Sequence, residues 1–212
     1  MNMGILGSGM VAQGLSARLA ELGHDVMIGT RDENKLKGWQ SSNQKVKIGS
    51  FAETAAHGEM VFNATNGTAS LEALKMAGGE NLTGKILVDV SNPLDFSNGF
   101  PPSLTVCGTD SLGEQIQRTF PFTKVVKTLN TVTARVMVYP LEVANGDHHI
   151  FISGNDTDAK AQVADLLRSF GWIYIFDLGD LSTARGTEAY QLLWVRLYGA
   201  MNTGMINVKI MK

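Results

Sequence analysis

Short apolar runs alternate with segments of helical period along the whole chain. The runs Met3–Leu6, Asp25–Ile28, Lys45–Ile48, Met60–Ala64, Ile86–Val90, Lys124–Thr128, His149–Ser153 and Trp172–Phe176 are rich in Val and Ile or nearly uniformly apolar. Strands buried on both faces read this way. Between the first two, Val11, Leu15, Leu19 and Leu22 recur at spacings of four and three, which is one face of a helix. Gly23 follows where a left-handed C-cap belongs. Phe51–Ala56, Ala69–Ala77, Ser111–Phe120, Asp156–Phe170 and a last segment from about Ser182 to about Asn202 carry the other helical patterns. Ser111 and Glu114 have the spacing of a capping box. The alternation predicts an α/β fold: a Rossmann-type doubly wound, mostly parallel sheet with a small C-terminal α/β lobe. A weak break near Tyr139-Pro140 to Asn145-Gly146-Asp147 divides a dinucleotide-binding domain, residues 1–140, from a lobe over residues 141–212 that completes the second-substrate pocket. Asn92–Pro102 holds three of the five prolines and reads as a long loop over one edge of the sheet.

Composition narrows the class. With 212 residues, the chain suits one large domain or a domain with an appended lobe. Apolar residues make up 44% and charged residues 18%, with a net charge of -2 and no run of like charge, so no nucleic-acid surface is expected. Cys107 is the single cysteine; it excludes an internal disulfide, suits a reducing compartment and is expected to be a small buried residue. No stretch approaches the length of a membrane span, and the first residues lack the basic and apolar regions of an export signal. A cytoplasmic protein without membrane contact is the expectation.

The residues Gly7-Ser8-Gly9-Met10-Val11-Ala12 place G-x-G-x-x-A between a predicted strand and a predicted helix. Gly7 permits the tight turn, Gly9 lets a pyrophosphate approach the backbone, and Ala12 allows close helix–strand packing. With Ser8, Met10 and Val11, the helix N-terminus offers unpaired N–H groups to phosphates. At the end of the second strand, NAD binders usually carry an acid for the ribose. Here the chain reads Ile28-Gly29-Thr30-Arg31. Arg31 can grip a 2′-phosphate bidentately and stack on adenine, Thr30 can hydrogen-bond it, and Lys35 can add a second positive charge. These residues point to NADP as cofactor. Asp32, one position further on, becomes the ribose ligand if the register slips by one.

The segments G-S-G-M-V-A and G-T-R-D-E-N-K within Gly4–Lys35, Val88-Asp89-Val90-Ser91-Asn92-Pro93-Leu94, Lys127-Thr128-Leu129-Asn130-Thr131 and Arg185-Gly186-Thr187-Glu188 together resemble the NADP-dependent oxidoreductases related to the F420-dependent NADP reductases. The resemblance covers essentially the whole chain. It implies a hydroxyl residue, an arginine and a lysine around the 2′-phosphate, and hydride transfer between NADPH and a flavin-like small-molecule acceptor, with the deazaflavin coenzyme F420 as the leading candidate. Asn63-Ala64-Thr65-Asn66-Gly67-Thr68 departs from the apolar, proline-containing stretch expected after the fourth strand. Ala64, Thr65 and Asn66 suit cofactor ribose or phosphate contacts instead.

Carbonyl reduction needs a proton donor at the new alkoxide. None of Tyr139, Tyr174, Tyr190 and Tyr198 has a lysine four residues on. His24 and His57 read as surface or capping residues, and His148 and His149 point to opposite faces of a strand. No metal site is expected and no catalytic side chain is assigned, although Lys127 and Glu188 stay open for that role. A ring acceptor needs only that two rings be held face to face with water excluded. Asn92 and Asn130 follow strand ends, as Asn66 does, and suit either a ligand contact or a loop cap. Pro93 stiffens the loop beneath the nicotinamide. Leu193, Trp194 and Leu197 suit a pocket wall, the core or a dimer face. Met201, Met205 and Met211 make an apolar tail compatible with a homodimer. Two other functions fit the same residues: an NADPH-dependent flavin or metal-chelate reductase, and a non-catalytic NADP(H) sensor. Enzymes with an added all-helical domain, such as the imine reductases, are disfavoured by length.

Overall fold

The computed structural model describes residues 1–212. β1 (Asn2–Leu6) passes through the glycine turn into α1 (Met10–Glu21) and β2 (Asp25–Gly29), followed by α2 (Lys37–Gln40) and β3 (Lys47–Gly49). α3 (Phe51–His57) leads back to β4 (Met60–Asn63), and α4 (Ser70–Ala77) with α5 (Gly79–Leu82) leads on to β5 (Ile86–Asp89). A two-stranded ladder, β6 (Leu94–Asp95) and β7 (Ser103–Leu104), lies in the following loop. Then come α6 (Leu112–Thr119), β8 (Lys124–Thr128), α7 (Ala134–Val138), β9 (His149–Gly154), α8 (Thr157–Phe170), β10 (Tyr174–Gly179), α9 (Ala184–Ala189) and α10 (Gln191–Met201).

Eight strands form one sheet in the order β10-β9-β8-β5-β4-β1-β2-β3. All neighbours are parallel except β8 and β9, so the mostly parallel doubly wound sheet read from the alternation is the fold. Strand order reverses between β1 and β4, and a doubly wound sheet binds its ligand at the carboxyl ends of the strands beside such a reversal. Successive side chains face opposite sides. Met60 and Phe62 join the core beneath α1, and Val61 joins the core beneath α3 and α4. Each fully buried side chain of this size contributes about 1.5–3 kcal/mol before entropy is counted. These two cores make the strand ends a rigid platform.

Several boundaries differ from expectation for physical reasons. The expected strand Trp172–Phe176 starts at Tyr174. Gly171 closes α8 in the left-handed conformation, and Trp172 is then buried with its indole Nε1 donating to the Met137 carbonyl at 3.0 Å. The last helix is two helices joined at Tyr190. The box at Ser111 is half formed: Ser111 Oγ accepts from the Glu114 N–H, while the Glu114 carboxylate takes Ser111 Oγ and both arms of Arg185 instead of the Ser111 N–H. A complete capping box, which sequence reasoning missed, starts α3 at Ser50 and Glu53. Cys107, expected to be buried, is exposed, because it lies in the irregular segment between β7 and α6 rather than on an element of the core.

Candidate functional site

The turn after β1 has the backbone its glycines allow. Gly7 has φ 126°, and a Cβ there would lie 2.5 Å from the Ala64 carbonyl oxygen, so the turn closes directly on the end of β4. Gly9 caps α1 in an extended conformation, and a Cβ there would meet nothing within 4 Å. α1 has no side-chain cap and no acid in its first turn. Its leading N–H groups and partial positive charge are therefore open to an anion. This turn fits a dinucleotide pyrophosphate.

At the end of β2, polar groups divide into committed and free. The Thr30 hydroxyl donates to the Asp32 carbonyl and accepts the Asp32 N–H, both at 3.1 Å. The Asp32 carboxylate caps the next turn, accepting the Asn34 N–H and side-chain amide at 3.0 Å each. Asp32 is thus held by its own turn, which leaves little freedom for the alternative ribose role. Arg31 and Lys35 are exposed and belong to none of the molecule's ion pairs. Their charge is available to a ligand.

A cleft of about 560 Å³ opens beside the glycine turn. Of the residues singled out in the sequence, Met10, Val11, Ala64, Thr65, Asn66 and Asn92 line it. Gly7, Ser8 and Gly9 form the turn next to it, Pro93 is buried behind it, and Thr30, Arg31 and Lys35 stand outside it at the end of β2. Trp194 and Gln191 from α10 line the far side with Phe96. Leu193, from the same helix, is exposed. Gly67 packs on the adjoining loop after β5 so closely that a Cβ would sit 1.9 Å from the Asn92 carbonyl oxygen.

The asparagines are structural ties as much as open contacts. Asn92 donates to the Asn130 carbonyl at 2.8 Å, and Asn130 donates to the Asn92 side-chain oxygen at 2.9 Å and the Thr187 carbonyl at 3.1 Å. Gln191 donates to the Asn130 carbonyl. Asn66 uses its oxygen to accept the Thr68 N–H and hydroxyl. Between β8 and Asn130, Leu129 is held at φ 62°, a conformation costly for a bulky residue and found where surrounding structure enforces it.

Directly beneath is a feature the sequence did not assign. The Lys127 Nζ lies 2.8 Å from Asp89, 2.8 Å from Glu188 and 2.6 Å from the Ser91 carbonyl, with all three charged side chains buried. Asp89 also accepts from Asn63 at 2.9 Å and from the Ser91 hydroxyl at 2.6 Å. Glu188 accepts the Leu112 and Gly113 N–H groups at 2.8 and 3.0 Å, at the N-terminus of α6. Burial alone favours the neutral amine, but the Asp89 and Glu188 carboxylates outweigh it and raise the Lys127 pKa. Lys127 is therefore a fixed cation. The signal was available, since a Lys and an Asp stood inside predicted buried strands, where charges occur only when paired.

Comparison with known proteins agrees with this geometry. The family described as NADP oxidoreductase coenzyme F420-dependent matches residues 2–93. A crystal structure from Arthrobacter sp. FB24, provisionally named an F420-dependent NADP-reductase, is 52% identical, with a TM-score of 0.97 over 100% of both chains. The F420-dependent NADP reductase of Methanocaldococcus jannaschii is 28% identical over 97% of each chain. The Metalloreductase STEAP3 of Rattus norvegicus is 32% identical over 90% of this chain and 36% of its own. The chain thus spans about a third of the length of the mammalian metalloreductases it matches.

Proposed function

The chain belongs to the coenzyme F420-dependent NADP oxidoreductase family, and from that premise we propose that it passes a hydride between NADP(H) and a planar flavin-like acceptor, coenzyme F420 before others. The N-terminus of α1 and the turn Gly7–Gly9 would receive the pyrophosphate, Arg31 and Lys35 the 2′-phosphate, and the floor at Ala64–Asn66 and Ser91–Asn92 the nicotinamide half. NADPH, when bound, supplies two electrons and one proton as hydride.

The observation that carries the acceptor class is the lining of the cleft. It contains no His, Tyr, Cys, Lys, Asp or Glu, and its one titratable side chain, Arg135, is ion-paired with Glu142. A nascent alkoxide would find no proton donor of suitable pKa there. A conjugated ring needs none, because the walls have only to orient it and exclude water. Val132, Met137 and Trp194 supply apolar surface for that task. A second reading, reduction of a flavin or metal chelate, draws on the likeness to the mammalian metalloreductases.

Mixing the protein with NADPH and, separately, F420, FMN and ferric citrate tests the proposal by the absorbance of the nicotinamide. Oxidation with F420 and not with the others is expected. Turnover with FMN or ferric citrate alone would favour the second reading. Tight, NADP-selective binding without transfer to any acceptor would favour a sensor.

A further inference from the structure

Lys127, Asp89 and Glu188 form the only ion pairs in the molecule with both partners fully buried, and none of the three lines the cleft. We infer that Lys127 is a positioning residue: its ion pairs with Asp89 and Glu188 fix the part of the cleft floor that receives the nicotinamide half of the cofactor. The inference rests on the proposed cofactor site.

The ammonium joins three separate parts of the fold. Asp89 ends β5, Ser91 lies in the floor itself, and Glu188 belongs to α9. From Glu188 the connection continues through its two bonds to the start of α6. Beside it, the Thr187 carbonyl holds the Asn130 amide, and Gln191 reaches the Asn130 carbonyl from α10. Moving Lys127 therefore moves Ser91, the Asn92–Asn130 pair and the α10 wall together. Stability alone does not require such a cluster, since well-packed apolar residues of similar volume are often as stable as a buried ion triad or more so. What the charges add is direction: an ammonium with three acceptors at 2.6–2.8 Å admits one arrangement of the backbone around it. Arg31 and Gly9 lie outside these elements and share no hydrogen bond or ion pair with the cluster.

The test separates the two halves of the cofactor. A variant with Asp89→Asn, Lys127→Met and Glu188→Gln removes all three charges at once. Its affinities for 2′,5′-ADP, the adenosine half, and for NADPH are compared with those of the parent by calorimetry. 2′,5′-ADP should bind as before, while the advantage of NADPH over 2′,5′-ADP falls about tenfold, the scale of one hydrogen bond lost at a displaced floor. A merely structural role lowers the melting temperature and leaves that ratio alone. Should the triple variant not fold, Lys127→Arg, which keeps the charge and changes its geometry, decides by the same ratio. A parent-like ratio in the folded variant overturns this inference alone. Failure of the parent to bind 2′,5′-ADP overturns the cofactor reading and this inference with it.

Discussion

The end of β2 and the floor beneath the cleft use charge in opposite ways. At β2, Arg31 and Lys35 are exposed and unpaired, on a turn that ties Thr30, Asp32 and Asn34 to one another. Under the floor, Asp89, Lys127 and Glu188 are buried and satisfied by one another and by backbone groups. The first region keeps charge free for a ligand. The second spends charge on shape. Free charge contributes to ligand selectivity and little to folding, whereas the buried charges act on the site only through the shape they hold, and losing one partner strands the others in a low-dielectric interior.

The contrast predicts a descending series of effects. Lys127→Ala alone leaves two carboxylates without their cation and should destabilise the fold by about 3–5 kcal/mol, read by urea unfolding. A loss below about 1 kcal/mol would mean the cluster is not structurally coupled. Gly67→Ala forces a Cβ against the Asn92 carbonyl and should cost about 1–3 kcal/mol as an overpacked contact, with weaker NADPH binding. Gly9→Ala separates binding from stability. Its Cβ enters open space, so the melting temperature should hold while NADPH affinity drops about tenfold, one charge-assisted contact. Smallest is an acid effect at Asp110, just before α6. Arg118 lowers the Asp110 pKa from 3.8 to about 2. Its contribution is present above about pH 4 and is lost as pH falls through 3.8 toward 2. Asp110→Asn should flatten the acid limb of a melting-temperature profile slightly, since the pair is partly solvent-screened. An unchanged limb would assign no role to this pair.

What could be read from the sequence follows the same division. The glycine turn is legible, and Arg31 stands out as a candidate, because each is a local pattern whose meaning depends on neighbours along the chain. Periodicity likewise carried most strands and the sheet class. The floor was not legible as a unit: Asp89, Lys127 and Glu188 lie on different elements and meet only through the strand order. Asn92 and Asn130 could be placed at strand ends, but their reciprocal bonding is a property of β5 lying beside β8. Trp172 was placed in a strand by its apolar neighbours, and only the Gly171 cap and the Met137 carbonyl settle it in the core. For Cys107, the usual burial of cysteine says nothing about the loop that leaves it exposed.

NADP selectivity rests on Arg31. Titrating the purified protein with NADPH and NADH, before and after Arg31→Ala, should give parent binding of NADPH about 10- to 150-fold tighter than NADH, the range of a lost charge-assisted contact of about 1.5–3 kcal/mol. The substitution should remove most of that difference while leaving NADH affinity nearly unchanged. Equal parent affinities for the two nucleotides would contradict it.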